Sequence, residues 1–344
     1  MNPLVLQELG REESFDPLTL SPSAPLTQAQ FYGDWQESLG REVRRFVILD
    51  GAEVVAYFQL IKYHLFGKKS YYYIPYGPVV KEFSKPLLAL LRTELSLLAK
   101  KNNIIFTRLD FTPAGQSDKE KKLLRGFFTK SALATYSSPY FQPRSEWFLK
   151  LDKTEEELLK EMHKGTRYSI HLAGRKGVTT EIVTEDFGKY FETFYELMAV
   201  TAKRNGFNLH SKNYYQNIFK NLRSDNAYLG LAKYGEKVLV IKLVIRYGEV
   251  ASCIFSGSSD DHRELRPTYL VQWDIIKQAK NMGHAYYSFG GISSGGSHRS
   301  WAGLTVFKKN FGGEEIKHSE FFDLVAQPLW YGLYNLRKML KNHS

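Results

Sequence analysis

The residues best suited to chemistry lie between Phe289 and Gly313, in the stretch FGGISSGGSHRSWAGLTVFKKNFGG. An aromatic strand end, AYYSFGG, runs into a glycine- and serine-rich loop too small and polar to pack a core. Glycine admits positive φ and close backbone approach, so such a loop beside a strand end suits a bound ligand. A short amphipathic turn follows, Trp301 to Phe307, carrying the adjacent cations Lys308 and Lys309 and closed by Gly312-Gly313. Neighbouring residues on a helix point about 100° apart, so only one of the two lysines can face a bound molecule. The same composition also describes a plain strand-to-helix connection with a surface lysine pair. It is not a Walker phosphate loop, because no Gly-Lys-Ser/Thr follows the glycines.

A second stretch, HKGTRYSIHLAGRKG from His163, carries Lys164, Arg167, Arg175 and Lys176 with no acid among them. On a helix, Arg167 and Arg175 lie two turns apart with His171 between them, a basic stripe that suits a polyanion or forms a solvated face. Asp110 stands at a strand end before Thr112-Pro113, either as a base or as the cap of the following turn. The nine histidines form no HExxH and no Cys/His pair at ligand spacing, so no metal centre is expected. No GxSxG elbow occurs, and the single cysteine, Cys253, sits mid-strand in an apolar run and reads as a buried structural residue.

These residues need a scaffold, and 344 residues with 43% hydrophobic content are enough for two domains with real cores. One cysteine excludes an internal disulfide framework and points to a reducing, cytoplasmic compartment. The N-terminus shows no secretory signal and no stretch reaches the roughly 20 apolar residues of a spanning helix, so a soluble protein is expected. The formal charge of +11 favours polyanionic partners, whether nucleic acid, an anionic lipid surface or a phosphorylated ligand.

Along the chain the first half reads as a helix over 27–39 behind Thr27 as N-cap, then a hairpin turning at Asp50-Gly51. A strand over 71–74, a helix over 84–101 and a strand over 104–109 complete it. The second half repeats the order: strands over 228–234, 237–247 and 250–255, a helix over 263–282 and a strand over 285–289. "DGAEVVAYFQLI" even resembles "YGEKVLVIKLVI". Two copies of one α/β unit with mixed sheets are expected. The first domain covers 1–150 and the second 151–325, with a helical basic insert over 152–205. A C-terminal helix over 326–344 packs back on the first domain.

Taken in order, TQAQFYGDWQESLGR, YYYIPYGPVV, RLDFTP, MHKGTRYSIHLAGRKGV, TAKRNGFNLHSKNYY, FSGSSDDHRELRPTYLVQWDIIKQAK, YYSFGGI and WAGLTVFKKNFGG resemble the Fem family of peptidoglycan-bridge aminoacyltransferases. The resemblance runs from about residue 25 to 325 and is to the short form, without a coiled-coil arm. It implies two tandem acetyltransferase-like (GNAT-type) domains and no cofactor. The donor would be aminoacyl-tRNA, and the acceptor an amine on a UDP-linked or lipid-linked muropeptide precursor, with peripheral membrane contact possible for the latter.

The resemblance also assigns roles. Lys308, after Phe307, matches the family lysine that stabilises charge at the reacting carbonyl, where ester-to-amine transfer passes through a tetrahedral oxyanion. Gln36, His210, Tyr214 and Phe255 match precursor-binding positions. Several relatives carry a basic residue near the first two, and Arg41, Arg204 and Lys212 stand as substitutes here. Asp110 and Trp301 join the substrate-binding set, and Lys164, Arg167, Arg175 and Lys176 the tRNA-binding one. Two alternatives share the scaffold: an acyl-CoA-dependent N-acyltransferase, and a catalytically silent nucleic-acid or cell-wall-binding protein.

Overall fold

The computed structural model describes residues 3–65, 67–111, 118–131, 142–293, 302–318 and 321–342. The chain opens with β1 (Leu4–Glu8), α1 (Gln30–Ser38), β2 (Val43–Asp50), β3 (Glu53–His64), β4 (Ser70–Ile74), β5 (Val79–Val80), α2 (Lys85–Lys101), β6 (Ile104–Asp110), α3 (Asp118–Phe127) and β7 (Thr129–Lys130). It continues through β8 (Ser145–Lys150), α4 (Glu155–Glu161), α5 (Lys164–Arg175), β9 (Val178–Val183), α6 (Phe191–Asn205) and α7 (Lys212–Lys220). Then come β10 (Ala227–Tyr234), β11 (Lys237–Tyr247), β12 (Val250–Ser258), α8 (Pro267–Asn281), β13 (Tyr286–Gly291), α9 (Ala302–Lys309) and β14 (Glu314–Lys317). The last elements are β15 (Phe321–Val325) and α10 (Pro328–Asn342).

Two mixed sheets result, as the repeated strand–helix order predicts. One runs β1-β2-β3-β4-β6-β15-β7, with β5 on β3; the other runs β14-β8-β13-β12-β11-β10-β9. Read from β1 and from β9, the two share their pairing polarity. Three antiparallel steps are followed by one parallel step, β4 with β6 and β12 with β13. An antiparallel strand then closes each, β15 on β6 and β8 on β13. Each parallel step needs a crossover connection, supplied by α2 and α8, which bury their apolar faces on the sheets.

The compact units are 1–144 with 317–344, and 145–316. They differ from a simple cut near 150 and 325, because each closing strand comes from beyond its own repeat. Residues 145–150 pair with β13 rather than with the first sheet, and Phe321–Val325 pairs with β6 and β7 of the first unit. Hydrophobic alternation cannot reveal such an exchange, since a strand end looks the same whichever sheet receives it.

A buried ion pair holds β15 in place. Arg108 on β6 donates from Nε and Nη2 to the two carboxylate oxygens of Asp323, both at 2.6 Å, and from Nη2 to Ser131 Oγ at 2.8 Å. Both partners are fully enclosed. The Tyr331 hydroxyl of α10 donates to the same carboxylate at 2.6 Å, and Tyr334 packs on Phe106, so the C-terminal helix belongs to the first unit.

Helix α1 begins at Gln30 behind Ala29 rather than behind Thr27. The Thr27 hydroxyl is used elsewhere, donating to Pro75 O at 2.8 Å. The basic insert is helical as expected. Thr154 caps α4 in a reciprocal capping box with Glu157, and α5 follows directly.

Candidate active site

Helix α9 is built against the usual rule of amphipathicity. Its outward residues include Leu304 and Val306, the latter 57% exposed, while its two buried side chains are Thr305 and Lys308, the lysine only 8% exposed. A helix that turns a lysine inward and leaves leucine and valine outside is not placed by hydrophobic burial alone. Polar contacts to the end of β13 place it. Thr305 Oγ1 accepts from the Ser293 N–H at 3.0 Å, and one turn later Lys308 Nζ donates to Gly291 O at 2.6 Å. Behind them Phe307 and Phe311 stack edge to face at 5.1 Å and anchor the helix on the second unit's core, with Phe311 fully buried. Lys309 is exposed and lies 5.1 Å above the Trp147 ring. The two lysines therefore part as helix geometry requires, Lys308 inward and Lys309 outward.

Two glycines make this approach possible. Gly290 has φ +75°, and a Cβ there would come within 3.8 Å of Lys308 Nζ. Gly313, with φ +94°, lies so close to β8 that a Cβ would sit 2.1 Å from Phe148 O. The adjoining Gly312 O accepts from Trp147 Nε1 at 2.7 Å, which fixes the helix exit.

Burial pushes the Lys308 ammonium down from 10.5 to about 8; Cys253 and Glu146 oppose that shift and Lys242 adds to it. At neutral pH it therefore stays mostly protonated and a strong donor. Lys242 is a second enclosed lysine that the sequence reading missed. It lies on β11, donates to Ser256 Oγ at 3.1 Å, stands 5.7 Å from the centre of the Phe307 ring and is also held below its ordinary value by burial. The signal was legible: a lone cation inside the apolar run VLVIKLVI marks a buried charge with a reason to be there. Cys253 is half-buried beside these amines rather than sealed in the core.

Among the described residues no group of three or more His, Cys, Asp or Glu could hold a metal ion. Among the same residues no helix is long and apolar enough to cross a membrane.

The sequence matches the profile of the FemAB family over residues 15–237 and 231–339. The chain belongs to the FemAB family. A curated relative, the lipid II:glycine glycyltransferase of Staphylococcus aureus, is 24% identical, with 90% of each chain covered. In structure the chain is similar to FemX, with a TM-score of 0.81 at 22% identity, over 94% of this chain and 99% of the other. It is also similar to a tandem GNAT protein from the clavulanic acid biosynthesis pathway, with a TM-score of 0.54 at 13% identity, over 94% and 98%. The repeated sheet is thus the tandem GNAT-type arrangement expected from the Fem resemblance.

The Fem-matched precursor positions fall in two groups. In the first unit Gln36 is buried on α1, and its Oε1 accepts from Arg41 Nη1 at 2.6 Å, so a guanidinium accompanies the neutral amide. In the second unit His210 stacks on Tyr214 at 4.0 Å, Tyr214 meets Tyr215 edge to face at 5.3 Å, and Tyr215 packs on Phe255 at 5.2 Å. Tyr215, absent from the sequence reading, is the buried link between the matched residues.

The other substitutes are otherwise engaged. Arg204 binds Ser258 Oγ and Asp260 Oδ1, both at 2.6 Å, and Lys212 pairs with Glu192 at 2.6 Å. Asp110 is enclosed, accepting from the Tyr73 hydroxyl and the Tyr76 N–H, and burial pushes it up to about 8. Through the Tyr76 N–H it secures the turn after β4. Trp301 lies outside the described residues, as do Thr112 and Pro113.

On α5 the basic stripe differs from the expected one. Arg167 turns back and donates to Lys160 O at 3.1 Å and to Met162 O, closing the C-terminal end of α4. The exposed line is instead Lys164, Tyr168, His171 and Arg175, with Lys176 exposed at the C-cap. Recurrence at four, three and four residues puts all four on one face.

Proposed function

We propose that this chain is an aminoacyltransferase that moves an amino acid from aminoacyl-tRNA to an amine on the stem peptide of a lipid-linked peptidoglycan precursor. FemAB membership and the Staphylococcus aureus glycyltransferase named for lipid II support the acceptor class. One observation carries the mechanism: an enclosed Lys308 ammonium at the end of β13, poised near neutrality.

In the proposed reaction the free amine attacks the ester carbonyl and a C–N bond forms. Negative charge gathers on the former carbonyl oxygen. Lys308 donates to that oxyanion in a site already stripped of water, where a fixed donor is worth far more than in solution. The C–O bond to the tRNA ribose then breaks, and the proton lost by the amine goes to the departing hydroxyl. No acyl-enzyme is needed, so no serine or cysteine nucleophile is called for. On α5 the exposed Lys164, Arg175 and Lys176 would pair with tRNA phosphates, beside an exposed aromatic face at Tyr168.

An acyl-CoA donor fits less well. The connection from β12 to α8 carries Asp260, Asp261 and Glu264, and α8 starts with Pro267, which lacks an N–H. That helix end offers a diphosphate one amide fewer, and its carboxylates are already matched by neighbouring cations, Asp260 by Arg204 and Asp261 by Lys237.

The test is incubation with charged tRNAs and matched lipid-linked and nucleotide-linked muropeptides, read by mass spectrometry. The expected product is the lipid-linked stem heavier by one aminoacyl residue. Acylation supported by acyl-CoA but by no charged tRNA would overturn the reading.

A further inference from the structure

Helix α10 carries two opposed faces. At about 100° per residue, Tyr331, Tyr334 and Lys338 fall on one side. That side holds the helix to the first unit: Tyr334 is buried against Tyr71 and Phe106, and Lys338 lies over the Tyr334 ring at 5.3 Å. Leu329, Leu333, Leu336 and Leu340 fall within about 60° of one another on the opposite side. All four are exposed, Leu329 at 89% and Leu340 at 65%. Of the thirteen large apolar side chains exposed among the described residues, six lie on this one helix.

These leucines stay exposed on the face turned away from the first unit's core. Cations accompany them. Arg337 is exposed on the flank of the stripe, Lys69 Nζ stands 4.8 Å from the centre of the Trp330 ring at its start, and from Leu324 to Ser344 the sequence holds no acid. A leucine stripe bordered by tryptophan and by cations is the pattern of a helix lying in a membrane–water interface.

We propose that α10 seats the first unit on an anionic lipid bilayer, the leucine stripe entering the acyl boundary and the flanking Arg337 meeting lipid phosphates. The charge distribution selects the bilayer over a second copy of this chain. Pairing two such helices would bring cations against cations in a protein already at +11. The stripe also offers on the order of a few hundred Å², short of the roughly 800 Å² per partner of a stable interface. The proposal is independent of the donor and acceptor assigned above, since a bare vesicle tests it.

The experiment is co-sedimentation of the full chain with vesicles of phosphatidylcholine alone and of phosphatidylcholine mixed with phosphatidylglycerol. Binding is expected on the anionic vesicles and weaker on the neutral ones. Leu329→Gln, Leu333→Gln and Leu336→Gln together should lower it by roughly 30-fold or more. Val5→Gln with Leu97→Gln, equally exposed on the same unit, should leave it unchanged. Arg337→Glu, which alters no leucine, should weaken anionic binding by roughly tenfold and spare the neutral vesicles, giving a second reading if the triple variant folds poorly. Retained binding in both variants, or no wild-type binding to either vesicle, would overturn the proposal. So would a dimer that the glutamines dissolve.

Discussion

Replacing Lys308 by methionine should make the protein more stable and nearly inactive. The side chain is 8% exposed, and burial holds its ammonium near 8 against 10.5 in an unfolded chain. At 1.36 kcal/mol per pH unit, that difference means the folded state carries a penalty of about 3 kcal/mol wherever Lys308 is protonated. Methionine fills nearly the same volume without charge. It forfeits the bond to Gly291 O, worth about 1 kcal/mol, so the net gain at pH 7 is about 2 kcal/mol.

The pH dependence has a definite sign. Below pH 8 both states hold the proton and the penalty is constant. Between pH 8 and 10.5 the unfolded chain keeps a proton that the folded one has lost, so wild-type stability rises with pH through that window. The methionine variant lacks that rise, and its advantage fades as pH 10.5 is approached. Urea unfolding of both proteins from pH 6.5 to 10.5 measures this, and Lys242 is common to both and largely cancels. Single-turnover transfer by the same variant should fall by roughly 100-fold or more with little change in substrate binding. Parallel stability curves would show that Lys308 is not desolvated, and the argument for a poised donor would fall with it.

Lys309→Ala, an exposed cation over Trp147, should stay within about twofold of wild type in the same assay. Changing Lys164, Arg175 and Lys176 together to Ala should reduce the salt dependence of tRNA binding by roughly two to three in slope, seen by filter binding over a salt series; an unchanged slope would put the RNA surface elsewhere. Arg167→Ala should leave that slope nearly alone and lower the thermal midpoint, because its guanidinium closes α4. Asp323→Ala should destabilise by about 3–5 kcal/mol in denaturant, since it strands the Arg108 charge in a dry interior; a loss under 1 kcal/mol would show that water reaches the pair.

Much of the scaffold was legible because both halves carry strong period-two patterns and turn signals in the same order. The Asp50-Gly51 hairpin and the crossover helices α2 and α8 fall where those patterns put them. Lys308 was legible as one of two lysines, and the family resemblance chose between them. Lys242 was missed because attention to loops passed over a charge in mid-strand. Arg167 was read onto the wrong face, since helical spacing gives the angle between side chains but not which carbonyls lie beneath a long one. Asp110 shows a related limit: a carboxylate at a strand end has the same sequence whether it opens to a ligand or closes on the neighbouring strand's turn.

The exchange of closing strands sets an order of assembly during synthesis. Residues 145–316 are continuous and can complete their sheet as soon as they leave the ribosome. The first unit, although translated earlier, lacks β15 until residue 325 has emerged, and until then Arg108 has no Asp323. The N-terminal unit is therefore the last to mature. A premature stop after Lys317 but before Phe321 would spare the later half of the protein and ruin the half already made.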